Sequence, residues 1–277
     1  MTSRTDFLVV RVSLVVVALA FAASALPQSI WRDVDQKPLP FESDRELMEF
    51  MRSAEVVDER PIGIGINRSV KVTLERDGVR SHAIFREVDV RRDVTSIRGE
   101  RYQFFADSYL FECAAYELAT MLEFHRVPPA VLRTIGARRG SLQIWVEDTL
   151  DEESDTFQPP GNLEWVTQIW DMRFFDNLLY NIDRNAGNKL VTSDYRLWLI
   201  DHTRAFQFRF ELLDDKMVRV PRESWERLLV LTDADLSSAL ADYLTPIEVG
   251  GILKRRDIIV SHIQALIAER GEDGVFY

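Results

Sequence analysis

The stretch Asn181-Ile-Asp183-Arg-Asn-Ala-Gly-Asn188, continued by Lys189-Leu-Val-Thr192, a short turn and Arg196-Leu-Trp-Leu-Ile-Asp201, decides how this chain is read. Asp183 and Asn188 stand five apart on a segment rich in turn formers, and an apolar run then delivers Asp201. Phosphoryl transfer asks for such side chains. Metal ions must sit on the phosphates, and a carboxylate must orient the acceptor hydroxyl. Magnesium takes oxygen ligands and keeps several waters, so one Asp and one Asn amide suffice from the protein. Asn188 and Asp201 fit the metal-holding role, and Asp183 the acceptor-orienting role. Spacing alone fits a plain Asx-capped turn as well. The long helical pattern ahead of the loop and the apolar strand behind it favour a site.

Working outward, Val166, Trp170, Phe174 and Leu178 recur every four residues and predict a helix from about Leu163 to Asn181. After Arg222 the pattern is helical. Asp233 is expected to cap one helix, Thr245-Pro246 to start another, and a final helix to run from about Lys254 to Arg270, stopped by Gly271. Toward the N-terminus, Ser43-Asp-Arg-Glu46 reads as a capping box for a helix through about Ala54. Pro61-Ile-Gly63-Ile-Gly65 precedes the alternating Val70, Val72 and Leu74. Asp77-Gly78 marks a two-residue hairpin turn, and the return strand runs through about Val88. Arg91 to Gln103 reads as charged and irregular. Asp107 or Ser108 is expected to cap a helix reaching about His125, with Leu110, Ala114, Leu118 and Met121/Leu122 as its apolar stripe. Ser141 to Val146 reads as a strand. Six acids between Glu147 and Asp155, then Pro159-Pro-Gly161, mark the boundary between two lobes.

Composition narrows the function. With 46% hydrophobic and 29% charged residues, the 277-residue chain can build a packed core. A net charge of −11 argues against sequence-independent nucleic-acid binding. Four His and the single Cys113, without metal-ligand spacing, argue against a zinc site or a disulfide framework. Arg4 and Arg11 flank a basic start, Val12 to Ala22 is almost wholly apolar, and Ala23-Ser24-Ala25 fits a cleavage site. Residues 1–25 therefore read as a signal peptide or an N-terminal anchor, and the globular part as exported.

These residues carry a family resemblance. Asn181-Ile-Asp183-Arg, and Leu199-Ile-Asp201-His-Thr-Arg204-Ala-Phe206, resemble the atypical kinases of the secretory-pathway casein kinase type. The HipA-type toxin kinases and the spore-coat kinases look similar here too. Phe111-Glu112-Cys-Ala-Ala-Tyr-Glu-Leu followed by Val127-Pro-Pro129 resembles the family's helix and its trailing Val-Pro-Pro. Gly140-Ser-Leu resembles its strand entering the hinge. The resemblance covers about Gly63 to Phe206, with four motifs in the family's order. It implies an α+β, bilobal, protein-kinase-like fold. Residues 27–147 would form a β-rich N-lobe with one long helix, and residues 148–277 a mostly helical C-lobe. It also implies ATP with Mg or Mn as cofactors, and a hydroxyl acceptor on protein Ser/Thr or on a glycan. Asp201 would be the metal-binding aspartate, and Glu112 the partner of the phosphate-contacting cation.

One departure matters. The family's lysine ends an Ala-Leu-Phe-Lys strand, whereas this chain has Ala83-Ile-Phe-Arg86. Arg is a planar fork rather than a point charge, so the exchange is not conservative. Arg86 either reaches a phosphate while pairing with Glu112 or makes a structural salt bridge, and Lys71 on the adjacent strand is a second candidate cation. Gly63 and Gly65 are a fragment of a phosphate loop or a simple turn. Two functions follow: a phosphotransferase, or a pseudokinase that serves as a nucleotide- or protein-binding regulatory module.

Overall fold

The computed structural model describes residues 30–62, 69–151, 157–213 and 216–277. The expected signal segment, Gly63 and Gly65, and residues 152–155 of the acid run lie outside the described residues. The N-terminal part opens on helix α1 (Asp44–Ser53), where the Ser43 hydroxyl accepts from the Glu46 amide. The Glu46 carboxylate reaches the amide of Glu42, one residue ahead of the expected partner. Five antiparallel strands follow in the spatial order β1-β2-β3-β7-β6: β1 (Glu55–Pro61), β2 (Val70–Arg76), β3 (Val79–Arg86), β6 (Ala130–Ile135) and β7 (Arg138–Ile144). Asp77 and Gly78 both take positive φ, 55° and 78°, as the two-residue turn between β2 and β3 requires.

Alternation along these strands separates two faces. Val72, Leu74, Ala83, Phe85 and Leu142 pack with Leu47, Phe50, Trp31 and Trp198 in the N-terminal core. Lys71, Ile84 and Gln143 stand in register across β2, β3 and β7, and Arg86 shares their face. Gly140 on β7 makes the close fit possible. A Cβ there would come within 2.2 Å of the Arg86 carbonyl oxygen and 2.7 Å of the Phe85 ring. Gly140→Ala should therefore cost about 1–3 kcal/mol, read from urea unfolding.

Between β3 and the next helix the chain forms a two-stranded ribbon, β4 (Asp89–Ile97) and β5 (Glu100–Ser108), turning at Arg98-Gly99. This corrects the expectation of irregular structure at 91–103. Most of β4 is exposed on both faces, so the period-two apolar pattern that marks a half-buried strand is missing. Helix α2 (Leu110–Met121) ends about a turn earlier than expected. Asp107 and Ser108 belong to β5, and the capping residue Tyr109 makes no side-chain bond, although the Ser108 hydroxyl accepts from the Leu110 amide. Ala114, Leu118 and Leu122 are buried as the stripe predicts, but so are Phe111 and Glu112, because the first half of α2, residues 111–116, is buried on every face.

After a two-residue strand β8 (Thr149–Leu150), Asn162 caps α3 (Leu163–Leu179). The hairpin β9 (Lys189–Thr192) and β10 (Leu197–Leu199) completes a three-stranded sheet with β8. Helices α4 (Arg222–Val230), α5 (Asp233–Leu240) and α6 (Pro246–Arg270) close the chain. Thr232, not Asp233, caps α5, with Asp235 returning the bond. The two helices expected after Thr245 are one. Gly250-Gly251 continues α6 because Gly251 lies against the buried Arg255 guanidinium, where a Cβ would stand 3.0 Å from Nη1. Helix α2 buries in one cluster with α3 and α6, so the two halves are joined through it. Among the described residues no helix is long and apolar enough to cross a membrane.

Candidate active site

The chain leaves α3 through Tyr180 in the left-handed conformation, φ 52°. Asn181 then accepts from the Asp183 amide at 3.2 Å, and Asn185 caps a single 3-10 turn, Ala186–Asn188, by accepting from Gly187 at 2.9 Å. The Asn188 side chain donates to the Asp183 carbonyl at 2.7 Å. The Asx-capped turn and the candidate site are therefore one geometry: the turn bonds lock Asp183 and Asn188 together. Beyond the hairpin, the Ile200 amide donates to the Asn188 carbonyl at 3.3 Å, which sets Asp201 beside Asn188. Asp201 takes φ 54° and accepts from the Thr203 hydroxyl at 3.0 Å.

Two arginines meet Asp183. Arg204 donates to Oδ2 at 3.2 Å and to Asp107 at 2.8 Å, while Arg98 from the ribbon tip donates to Oδ1 at 3.3 Å. Burial works against the Arg204 charge, but Asp107, Asp183 and Asp201 outweigh it and its pKa rises. Phe206, also left-handed, packs edge-on against Phe111 of α2 at 5.3 Å and ties this segment to the helix.

Glu112 is wholly buried. Its carboxylate accepts from the His202 amide at 2.8 Å, and Arg86 Nε stands 3.7 Å away. Burial alone would raise its pKa. The Arg86 charge and the His202 hydrogen bonds overcome that and hold it at about 2. Arg86 also donates to Gln143 at 3.3 Å, while its buried Nε has no hydrogen-bond partner among the described residues. Lys71 is directed elsewhere: its ammonium lies 4.1 Å from the Trp145 ring centre. Burial lowers its pKa against the pull of Glu147.

The structure thus brings together Asp183, Asn188 and Asp201, and separately Arg86 and Glu112, with His202 between the two groups. Arg184 was missed from sequence. It pairs with Asp176 of α3 through Nε at 2.9 Å and Nη2 at 3.0 Å. Its sequence signal was its place in the motif Asn181-Ile-Asp183-Arg184, which gave it no role; nothing marked Asp176 as the partner.

Among the described residues no three His, Cys, Asp or Glu converge on one point. An oxygen pair such as Asn188 and Asp201 suits a hard cation that takes its remaining ligands from phosphate and water. The Arg86 Nε already faces an anion, the Glu112 carboxylate at 3.7 Å, beyond hydrogen-bond length. A cavity of ≈ 390 Å³ lined by Arg126, Asp171 and Arg196 lies at the other end of α3 and of the β9–β10 hairpin, away from this chemistry.

A β-rich N-terminal half and a helical C-terminal half, joined through α2 with the Asp183 loop below, make an atypical protein-kinase-like fold. No family model and no curated protein matches the chain. Solved structures do. A hydra Fam20 solved with sugar aligns at TM-score 0.65 and 16% identity, covering 86% of this chain and 93% of that one. A Golgi casein kinase aligns at 0.60 and 17%, covering 84% and 78%. A Golgi casein kinase with Mn/ADP bound aligns at 0.59 and 18%, over the same shares. At these identities the likeness establishes the fold.

Proposed function

We propose that this protein is an ATP- and divalent-metal-dependent phosphotransferase acting on a hydroxyl group. The observation that carries the reading is the locked turn that sets Asn188 beside Asp201 with the Asp183 carboxylate alongside. Bound ATP with Mg or Mn would supply the transferable phosphate and the neutralising charge. Asn188 and Asp201 hold the metal through oxygen. Arg86, paired with Glu112 through Nε at 3.7 Å, would offer its guanidinium charge to a phosphate. Asp183 accepts the hydrogen bond of the acceptor hydroxyl and orients it. That one similar structure holds Mn and ADP supports the cofactor choice. The acceptor is a protein Ser/Thr or a sugar hydroxyl, and we read the N-terminal segment as an export signal or anchor.

Both oxygens of Asp183 are already engaged. Arg98 is 71% exposed, so its bond contributes about 0–1 kcal/mol and an incoming hydroxyl displaces it readily. Arg98→Ala should raise kcat/KM for the acceptor by up to about fivefold, measured at subsaturating acceptor. The reading itself is tested by transfer of labelled phosphate from ATP to peptide, saccharide and self acceptors, lost in Asp183→Asn. A second reading, a pseudokinase that binds nucleotide or protein without turnover, is favoured by Arg86. Its side chain is 3% exposed and engaged with Glu112 and Gln143. Nucleotide binding with no transfer to any acceptor would select it.

A further inference from the structure

We propose that Arg184 is the positioning residue of the metal-phosphate site, where one guanidinium fixes Asn188 and Asp201 against each other and couples both to Glu112. The proposal deepens the phosphotransferase reading and rests on it. An arginine has five N–H donors in a rigid plane and no acceptor. Here all five are used. Nε and one hydrogen of Nη2 grip the two oxygens of Asp176, at 2.9 and 3.0 Å. Nη1 donates to the Ile200 carbonyl at 2.8 Å and to the Asn188 carbonyl. The last Nη2 hydrogen meets His202 Nε2 at 3.1 Å.

Each target sits at the site. The Asn188 carbonyl belongs to one proposed metal ligand, and the Ile200 carbonyl immediately precedes the other. His202 follows Asp201 and reaches Glu112. Since Arg184 can only donate, Nε2 of His202 accepts, and its ring proton sits on Nδ1, which faces Glu112 Oε2 at 3.4 Å. A continuous buried chain therefore runs Asp176, Arg184, His202, Glu112, Arg86. It begins on α3, passes both metal-ligand segments and ends on the N-terminal sheet. Asp176 and Arg184 are 6% and 8% exposed, so the grip is not shared with water.

Arg184→Lys keeps the charge but offers three donors from one atom and cannot span these targets. In the full chain with ADP, Mn²⁺ affinity should fall on the order of 10–100-fold, read as free Mn²⁺ by electron paramagnetic resonance. Amide hydrogen exchange should rise across 183–203 and not elsewhere. Arg255→Lys is the comparison for a merely structural loss. Arg255 is equally buried and donates to the carbonyls of Leu178, Gln207 and Arg209, but touches neither ligand. It should lower the melting temperature and keep Mn²⁺ affinity. Should Arg184→Lys fail to fold, Asp176→Asn retains one acceptor oxygen and should move both readouts in the same direction. Wild-type Mn²⁺ affinity in a folded Arg184→Lys, with exchange unchanged at 183–203, overturns the proposal. So does exchange that rises evenly along the chain. If the wild type binds no Mn²⁺ with ADP, the phosphotransferase reading falls, and the exchange comparison alone still decides whether Arg184 orders this loop.

Discussion

Glu112→Ala is expected to destabilise the protein by about 3–5 kcal/mol, read from urea unfolding at neutral pH. The carboxylate is wholly buried, and its removal strands two groups. Among the described residues Arg86, 3% exposed, would keep only Gln143 as a partner, and the His202 amide would lose its acceptor. An unpaired buried charge costs far more than a surface pair contributes. Glu112→Gln should cost less, because an amide oxygen still accepts from the His202 amide. The same carboxylate predicts acid sensitivity. Its pKa is held at about 2, against an ordinary value of 4.5 in the unfolded chain. A depressed carboxylate stabilises the fold fully above the unfolded value, and that contribution is lost as pH falls toward the folded one. Stability should therefore decline from about pH 4.5 toward pH 2, by on the order of 3 kcal/mol from this group. Glu112→Gln should flatten that limb.

Asp183→Asn is expected to lower phosphate transfer by on the order of 10²–10⁴-fold while leaving nucleotide binding in place. The substitution keeps the shape and still allows one oxygen to accept from Arg204, so the loop holds. What it removes is the charge that orients and accepts the acceptor proton. The Asp183 carbonyl, which locks Asn188, is untouched. Asp201→Ala should behave differently: it removes a metal ligand and should abolish both metal-dependent binding and transfer. A single-turnover assay beside a binding assay separates the two outcomes.

Local chemistry made much of this legible in the sequence. Asp77-Gly78, Ser43 ahead of α1, and Thr245-Pro246 each act through neighbouring backbone, so their signals survive without tertiary context. The loop from Asp183 to Asn188 is of the same kind, since its bonds run between residues two to five apart. The failures arise where burial overrides pattern. The ribbon β4–β5 lacks a buried face for most of β4 and so lacks alternation. Helix α6 runs through Gly250-Gly251 because Arg255 fills the space beside it. Arg184 stands in the motif after Asp183, but its role could not be read from sequence. Its partners lie on α3, on β10's exit and next to Asp201, and only the fold gathers them. Lys71 and Arg86 share a sheet face, yet one turns to Trp145 and the other to Glu112, a choice set by side-chain partners rather than by strand period.

A metal-dependent nucleotide site built on Asn188 and Asp201 should be visible in thermal melting of the full chain with ATP. Ligand at a hundred times its dissociation constant stabilises a fold by about 2.7 kcal/mol. The melting temperature should be several degrees higher with ATP and Mg²⁺ or Mn²⁺, roughly as expected for that energy, with no rise for ATP and chelator and no rise in Asp201→Ala. An unchanged melting temperature at millimolar ATP with either metal, or a rise that persists in Asp201→Ala, would contradict it.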